Sequence, residues 1–290
     1  MIRRDRAALG FTLLELVIVI AITAILAVFV VFFLDTPVEA YLAQSRRAVL
    51  VDSADHVLRS VAADVRTALP SSLRWAAPGN VVAVEMLSTV GVARYYGVNE
   101  KSRLPPALEA PEELSIGSAD PSFYTVGLFA STTGGYLSVD QQTLPGAYSL
   151  AAGHVMLPFA QPPSSINPVG LTTEEWVQCV PGCNFTAASP TNSVFVVSGP
   201  VSYLCDKVQH TLQRYSGYAV RAVEPLTDAA LMAAGATRGL IAQNVSGCRV
   251  RIVPAPASGA FDQLLIFEVT LASSGETLTV FDEAAPEYVP

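Results

Sequence analysis

Histidine is scarce in this chain, with only three among 290 residues, at His56, His154 and His210. They are scattered at spacings that suit no metal site. No Gly-x-Ser-x-Gly elbow, phosphate-cradling glycine-rich loop or His-Glu-x-x-His run accompanies them. With no catalytic constellation, the chain reads as a non-enzyme without a cofactor. Positive charge is also in short supply: 17 Lys and Arg stand against 25 Asp and Glu, giving a formal charge of −8 and a pI near 4.9. Such a chain is poorly equipped to grip phosphate backbones, so nucleic acid is not an expected partner. The four cysteines, Cys179, Cys183, Cys205 and Cys248, lack the paired-knuckle spacing of a zinc site, the weaker alternative for them. Asp282, Glu283 and Glu287 could offer oxygens to a cation, but read as a solvated acidic tail, so no metal is expected.

What the chain has is one long apolar run. From Phe11 to Leu34 there are 24 residues, and Glu15 is the only charge among them. At about 1.5 Å per helical residue this reaches roughly 36 Å, enough to cross a bilayer with some tilt. A secretory leader has a shorter apolar core that ends in small residues, whereas here the small residue, Gly10, precedes the run. A carboxylate inside hydrocarbon costs about 2.5–3.5 kcal/mol and needs a partner. Cleavage after Gly10 would supply one, because the new amine on Phe11 lies at i,i+4 from Glu15.

Gly10-Phe11-Thr12-Leu13-Leu14-Glu15 resembles the processing site of type IV prepilins and of the pseudopilins of type II secretion. The resemblance implies a membrane peptidase that cuts after Gly10 and N-methylates Phe11, with Glu15 guiding assembly. It also implies an α+β fold: a long N-terminal helix, membrane-spanning in its first half, packed on an antiparallel β-rich head. The first ten residues hold Arg3, Arg4 and Arg6 against Asp5, so the basic end stays cytoplasmic by the positive-inside rule and the head lies in the periplasm. The expected division is a leader over 1–10, a membrane and filament-core segment over 11–34, an amphipathic half-helix over 35–69, and a head over 70–290.

Thr36, Pro37 and Glu39 form a helix-start signal of N-cap, first-turn proline and capping box, which predicts a break or kink. The alternative is one continuous helix bent at Pro37. Leu42, Val49, Leu50, Val57, Leu58, Val61, Val65 and Leu69 then recur at helical spacing up to Pro70. Beyond it the period becomes two. Leu73 and Trp75 alternate with Ser72, Arg74 and Ala76, and 78–80 turns the chain into a returning strand over 81–87. Between 97 and 193 prolines and glycines interrupt any period, with short strands expected at 122–129 and 154–159. Strands follow at 193–197, 201–205 and 211–215, then a helix over 228–234 capped by Thr227 and stopped by Gly235. A three-stranded meander over 248–253, 264–271 and 276–281 ends the chain.

An even cysteine count on the oxidising side of a membrane reads as disulfides with three possible pairings. The turn sequence Val180-Pro181-Gly182 favours Cys179–Cys183, which leaves Cys205–Cys248. The matches Asn184-Phe185-Thr186 and Asn244-Val245-Ser246 to a glycosylation sequon read only as surface or turn.

Five segments are similar to the O-type minor pilins of mannose-sensitive haemagglutinin (MSHA) pilus systems: 35–41, 68–74, 197–206, 244–248 and the terminal Val289-Pro290. The Cys179–Cys183 pair and the acidic Asp282-Glu283-Ala284-Ala285 depart from that pattern. The resemblance implies a minor subunit that serves in assembly initiation or a tip complex. The implied partners are other pilins, the prepilin peptidase, the assembly platform of the inner membrane, and membrane lipid. The implied location is the inner membrane, then a filament at the cell surface. Two alternatives remain: a J-type minor pseudopilin of type II secretion, and a membrane-tethered binding or adhesion module.

Overall fold

A computed structural model describes residues 12–97, 113–127, 135–139, 146–148, 156–159, 174–254 and 263–287. The chain divides into two compact units, Met1–Val51 and Asp52–Pro290. One helix, α1 (Leu13–Arg66), supplies the described part of the first unit and opens the second.

Within the first unit α1 runs uninterrupted through Pro37. Of the break or kink expected at Thr36, Pro37 and Glu39, the break is corrected to a continuous helix. An interior proline removes one donor and crowds the preceding turn, at a cost of about 3 kcal/mol, which the long helical stretches on both sides absorb. Thr23 is a polar residue in the middle of the apolar stretch, and its hydroxyl donates to the carbonyls of Val19 at 2.8 Å and Ile20 at 3.0 Å, so it needs no outside partner.

The second unit is antiparallel throughout its named strands. β1 (Arg74–Ala76) pairs with β2 (Val81–Tyr95), as the hairpin pattern predicts. Then come β3 (Asp120–Val126), β4 (Gly135–Ser138), a 3-10 turn at Gly146–Tyr148, β5 (Met156–Phe159), β6 (Glu174–Cys183), β7 (Ser193–Asp206) and β8 (Thr211–Ser216). After α2 (Asp228–Ala233) the chain ends with β9 (Thr237–Gln243), β10 (Val245–Pro254), β11 (Gln263–Ser273) and β12 (Glu276–Ala284). Thr227 caps α2 by accepting the Ala230 N–H at 3.2 Å, and Gly235 takes a φ of +84° just after it, as the sequence signals require.

The larger sheet is built on the β2–β7 ribbon, paired from Val81↔Asp206 to Arg94↔Ser193. The two strands expected at 193–197 and 201–205 are one strand, a correction with a local cause. Gly199 sits at φ +147°, and the register slips opposite Ser88 and Thr89, so Ser198-Gly199-Pro200 forms an irregularity rather than a turn. The free edge of β7 forks there. Its first half pairs with β4 and its second half with β8, which in turn carries β9. Both faces of β7 are covered: Val194 and Val196 enter one core with Phe123, Val177 and Phe185, while Phe195 and Val197 enter another with Leu69, Leu87 and Tyr148. A strand buried on both sides reads as a continuous apolar run, which is how 193–197 reads.

From Val57 to Val65 the helix buries its apolar stripe, with Val57, Val61 and Val65 all inaccessible. Asp64 is the polar exception on this part of α1. Its carboxylate takes a two-point contact from Arg214 of β8 at 2.6 and 3.0 Å and the Tyr203 hydroxyl of β7 at 2.6 Å. Leu58, Val61 and Ala62 share one small gap with Leu265, Phe267 and Ala284 of the smaller sheet, β10–β11–β12.

The two sheets are stapled by a disulfide from Cys205 of β7 to Cys248 of β10, with Cα atoms 6.4 Å apart. Cys183 is also disulfide-bonded. The side chain of Cys179, its expected partner, lies outside the described residues. Here the ladder steps from Ser122↔Gln178 to Asp120↔Cys183, so 179–182 bulge out of β6. Asn244 holds φ +61° in the one-residue link between β9 and β10, a turn role for that sequon.

Beneath the β1–β2 hairpin lies a polar cluster that the alternation pattern mislays. Trp75 is 45 % exposed and Ser72 is fully buried, the reverse of the facing expected from sequence. The Arg74 side chain is 14 % exposed, and it meets Glu85, which is 0 % exposed, at 2.5 Å. Tyr218 and Ser202 donate to the other Glu85 oxygen at 3.0 and 3.2 Å. Arg74 also donates to the carbonyls of Arg221 and Ala222 and lies 3.5 Å over the Tyr148 ring. Burial raises the pKa of Glu85 despite the opposing Arg74 guanidinium. Glu224 is pushed up to about 7, first by burial and then by the Glu85 charge. For both carboxylates the folded pKa exceeds the unfolded one, so their stabilisation is complete below the unfolded value and fades as pH rises toward the folded value. The head should therefore melt at a higher temperature at pH 5 than at pH 8, by calorimetry of the full chain. Glu224→Gln should flatten that difference, and equal melting temperatures for the parent protein would refute the assignment.

Candidate processing and membrane-insertion site

The N-terminal site is built by one helical turn. Thr12 precedes α1, and its hydroxyl accepts the Glu15 N–H at 3.3 Å, while Glu15 Oε2 accepts the Thr12 N–H at 3.5 Å. This is a reciprocal capping box that satisfies two helix-end donors. In a segment destined for hydrocarbon such satisfaction matters more than in water, because an unpaired N–H there costs several kcal/mol. Glu15 also sits in the first turn, where a negative charge suits the helix dipole. Its second oxygen, Oε1, has no hydrogen-bond partner among the described residues.

Sequence reasoning found Glu15 but missed this role. The signal was Thr12-Leu13-Leu14-Glu15 itself, the same Thr-x-x-Glu pattern noted instead at Thr36 to Glu39. Gly10 and Phe11, the expected cleavage and methylation positions, lie outside the described residues, as does the side chain of Thr36. Behind the capping box, Leu13–Val30 is long and apolar enough to cross a membrane, with a mean hydropathy of 3.0 and none of it buried within the chain.

The profile of the prokaryotic N-terminal methylation motif matches residues 5–31. The motif is type IV prepilin-like. It makes the protein pilin-like or pseudopilin-like at its N-terminus, and it implies processing by a prepilin peptidase and assembly with other pilins. With the apolar helix it points to membrane anchoring and association with a pilus. No curated protein matches the chain, and no solved structure does.

His56 lies on α1 and His210 at the β7–β8 turn, where its Nδ1 is 3.1 Å from the Val245 carbonyl; His154 lies outside the described residues. Among the described residues no three His, Cys, Asp or Glu side chains are grouped to hold a metal. A cavity of about 510 Å³ beside α2 carries Asp206, Asp228 and Arg238. Their charges are already engaged. Asp206 accepts the N–H groups of Val208 and Gln209, and Asp228 accepts Arg238 and the Tyr215 hydroxyl.

Proposed function

We propose that this protein is a minor pilin of a type IV, MSHA-like pilus, acting in assembly initiation or the tip complex. The observation that carries the reading is the methylation motif, with Gly10 and Phe11 ahead in sequence of an apolar helix that holds Glu15 in its first turn and leads into a β-rich head. In this reading a prepilin peptidase cuts after Gly10 and methylates Phe11. The new amine then meets the free oxygen of Glu15, within one helix or from the neighbouring subunit, and removes the cost of a lone carboxylate in hydrocarbon. The helix is stored in the inner membrane with the head in the periplasm. It later packs among other pilin helices on the assembly platform, and apolar contacts and the Glu15 pairing set the stagger. A head of this size is bulky for a repeating shaft subunit, which favours a minor position. A J-type pseudopilin role shares the motif and is separated by whether the protein is recovered with pili or with secretion components.

The test is intact mass and N-terminal sequencing of the protein from membranes, with and without the prepilin peptidase. The expected product begins at N-methylated Phe11 and vanishes without the enzyme. Glu15→Leu should still be processed yet be missing from purified filaments. A chain that keeps Met1 to Gly10, or one cut after the apolar segment, would overturn the reading.

A further inference from the structure

The smaller sheet ends in a strand that has no strand partner on its outer side among the described residues. β12 is in continuous register with β11 from Leu265↔Ala284 to Ser273↔Glu276, with no bulge, and it pairs with no other described strand. Its 9 residues, Glu276-Thr277-Leu278-Thr279-Val280-Phe281-Asp282-Glu283-Ala284, contain no proline, lysine or arginine. Proline, charged side chains, bulges and shortness are among the devices by which natural sheets blunt an exposed edge, and β12 uses only charge, all of it negative.

Its side chains add two further observations. Phe281 is 65 % exposed, on the sheet face turned from the core and opposite Glu268. Glu276, Asp282 and Glu283 make no ion pair with any described residue; of the two cations of the sheet, both on β10, Arg249 is paired with Glu268 at 2.9 Å, and Arg251 stands two strands away in the row of Glu283. The edge therefore offers a row of backbone donors and acceptors, one apolar handle and three uncompensated carboxylates. A strand added there would gain the ladder from its backbone and its selectivity from alternate side chains.

We propose that the free edge of β12 is the docking site for an extended, basic segment of another protein, added as a fourth strand. Charge decides between this occupant and a second copy. Self-pairing would set the three carboxylates of one β12 beside the three of the other, in chains that each carry −8, with no cation on either strand. Glu276 and Asp282 lie on one face of β12 and Glu283, with Phe281, on the other, so a segment with Lys or Arg on both of its faces neutralises them and can cover Phe281. The inference stands apart from the pilin reading, since it concerns the head alone.

The experiment uses the full chain in a non-ionic detergent, with a nine-residue peptide of three Lys-Thr-Val repeats as probe and three Glu-Thr-Val repeats as control. Amide hydrogen exchange across 276–284 should slow about tenfold with the basic peptide and not with the acidic one. Raising the salt to 0.5 M should weaken the effect about tenfold. Glu283→Lys and Phe281→Ser, both exposed and outward, should each reduce binding while leaving the melting temperature unchanged. Unchanged exchange in 276–284, equal slowing by both peptides, or protection confined to another segment would overturn the proposal. So would concentration-dependent dimerisation through β12 without peptide, which would make the occupant a second copy.

Discussion

Arg74→Met should destabilise the head by roughly 3–5 kcal/mol, because it leaves Glu85 buried without its cation. For a unit of this size that is a fall in melting temperature on the order of 10 °C. The guanidinium has four jobs: it pairs with Glu85, holds the carbonyls of Arg221 and Ala222, and stacks on Tyr148. The methionine keeps the stem and loses all four contacts. Because Glu85 is already raised by burial, it can escape the penalty by taking up a proton, so the loss should be smaller at pH 5 than at pH 8. Adding Glu85→Leu should recover a good part of the stability by removing the orphaned charge. Urea titrations of the four proteins, read as a double-mutant cycle, give the coupling directly. A single variant as stable as the parent protein would show that Arg74 is ornamental.

Replacing Cys205 and Cys248 together by alanine should cost about 4 kcal/mol on the chain-entropy model. The bond closes a separation of 43 residues, a loop that includes β8, α2 and β9. Without it the smaller sheet is held by apolar packing of Leu265, Phe267, Val269 and Leu271, by hydrogen bonds of Val245 to His210 and of Leu73 to Gln263, and by the contacts of Glu287 with Arg66. Unfolding of the variant should move to lower urea, and exchange should speed up first in β10 to β12. Coincident transitions at the parental midpoint would show that packing alone suffices.

Much of the frame was legible because local signals carried it. The apolar run, the heptad-like stripe ending at Pro70, the β1–β2 hairpin, the Thr227 cap and the final meander each rest on residues close together in sequence. What stayed hidden depends on partners far away. β9 was missed because Thr237, Arg238, Gly239 and Leu240 are exposed and show no alternation. β4 and β6 fall in the stretch that proline and glycine break up, and are strands only because β7 and β3 offer edges to them. Arg74 and Ser72 read as outward-facing residues, since period two cannot say which face of a hairpin the rest of the chain will cover. At the N-terminus, Glu15 was found by its charge, while its bond to Thr12 was overlooked in favour of a similar pattern at Thr36 that the helix ignores.

The pairing of Arg94 with Ser193, and the 2.8 Å bond from the Tyr95 N–H to the Asn192 carbonyl, bring the chain back to where it left. Everything between them is thus an insertion whose two ends are already fastened together by the β2–β7 ribbon. Closing such an excursion costs only about 0.6 kcal/mol more for each doubling of its length. Its length can change while those ends stay fastened, but the segment also supplies β3 and β4 to the larger sheet and Tyr148, which donates to the Ser72 carbonyl and lies under Arg74, so these parts of it are held to the frame.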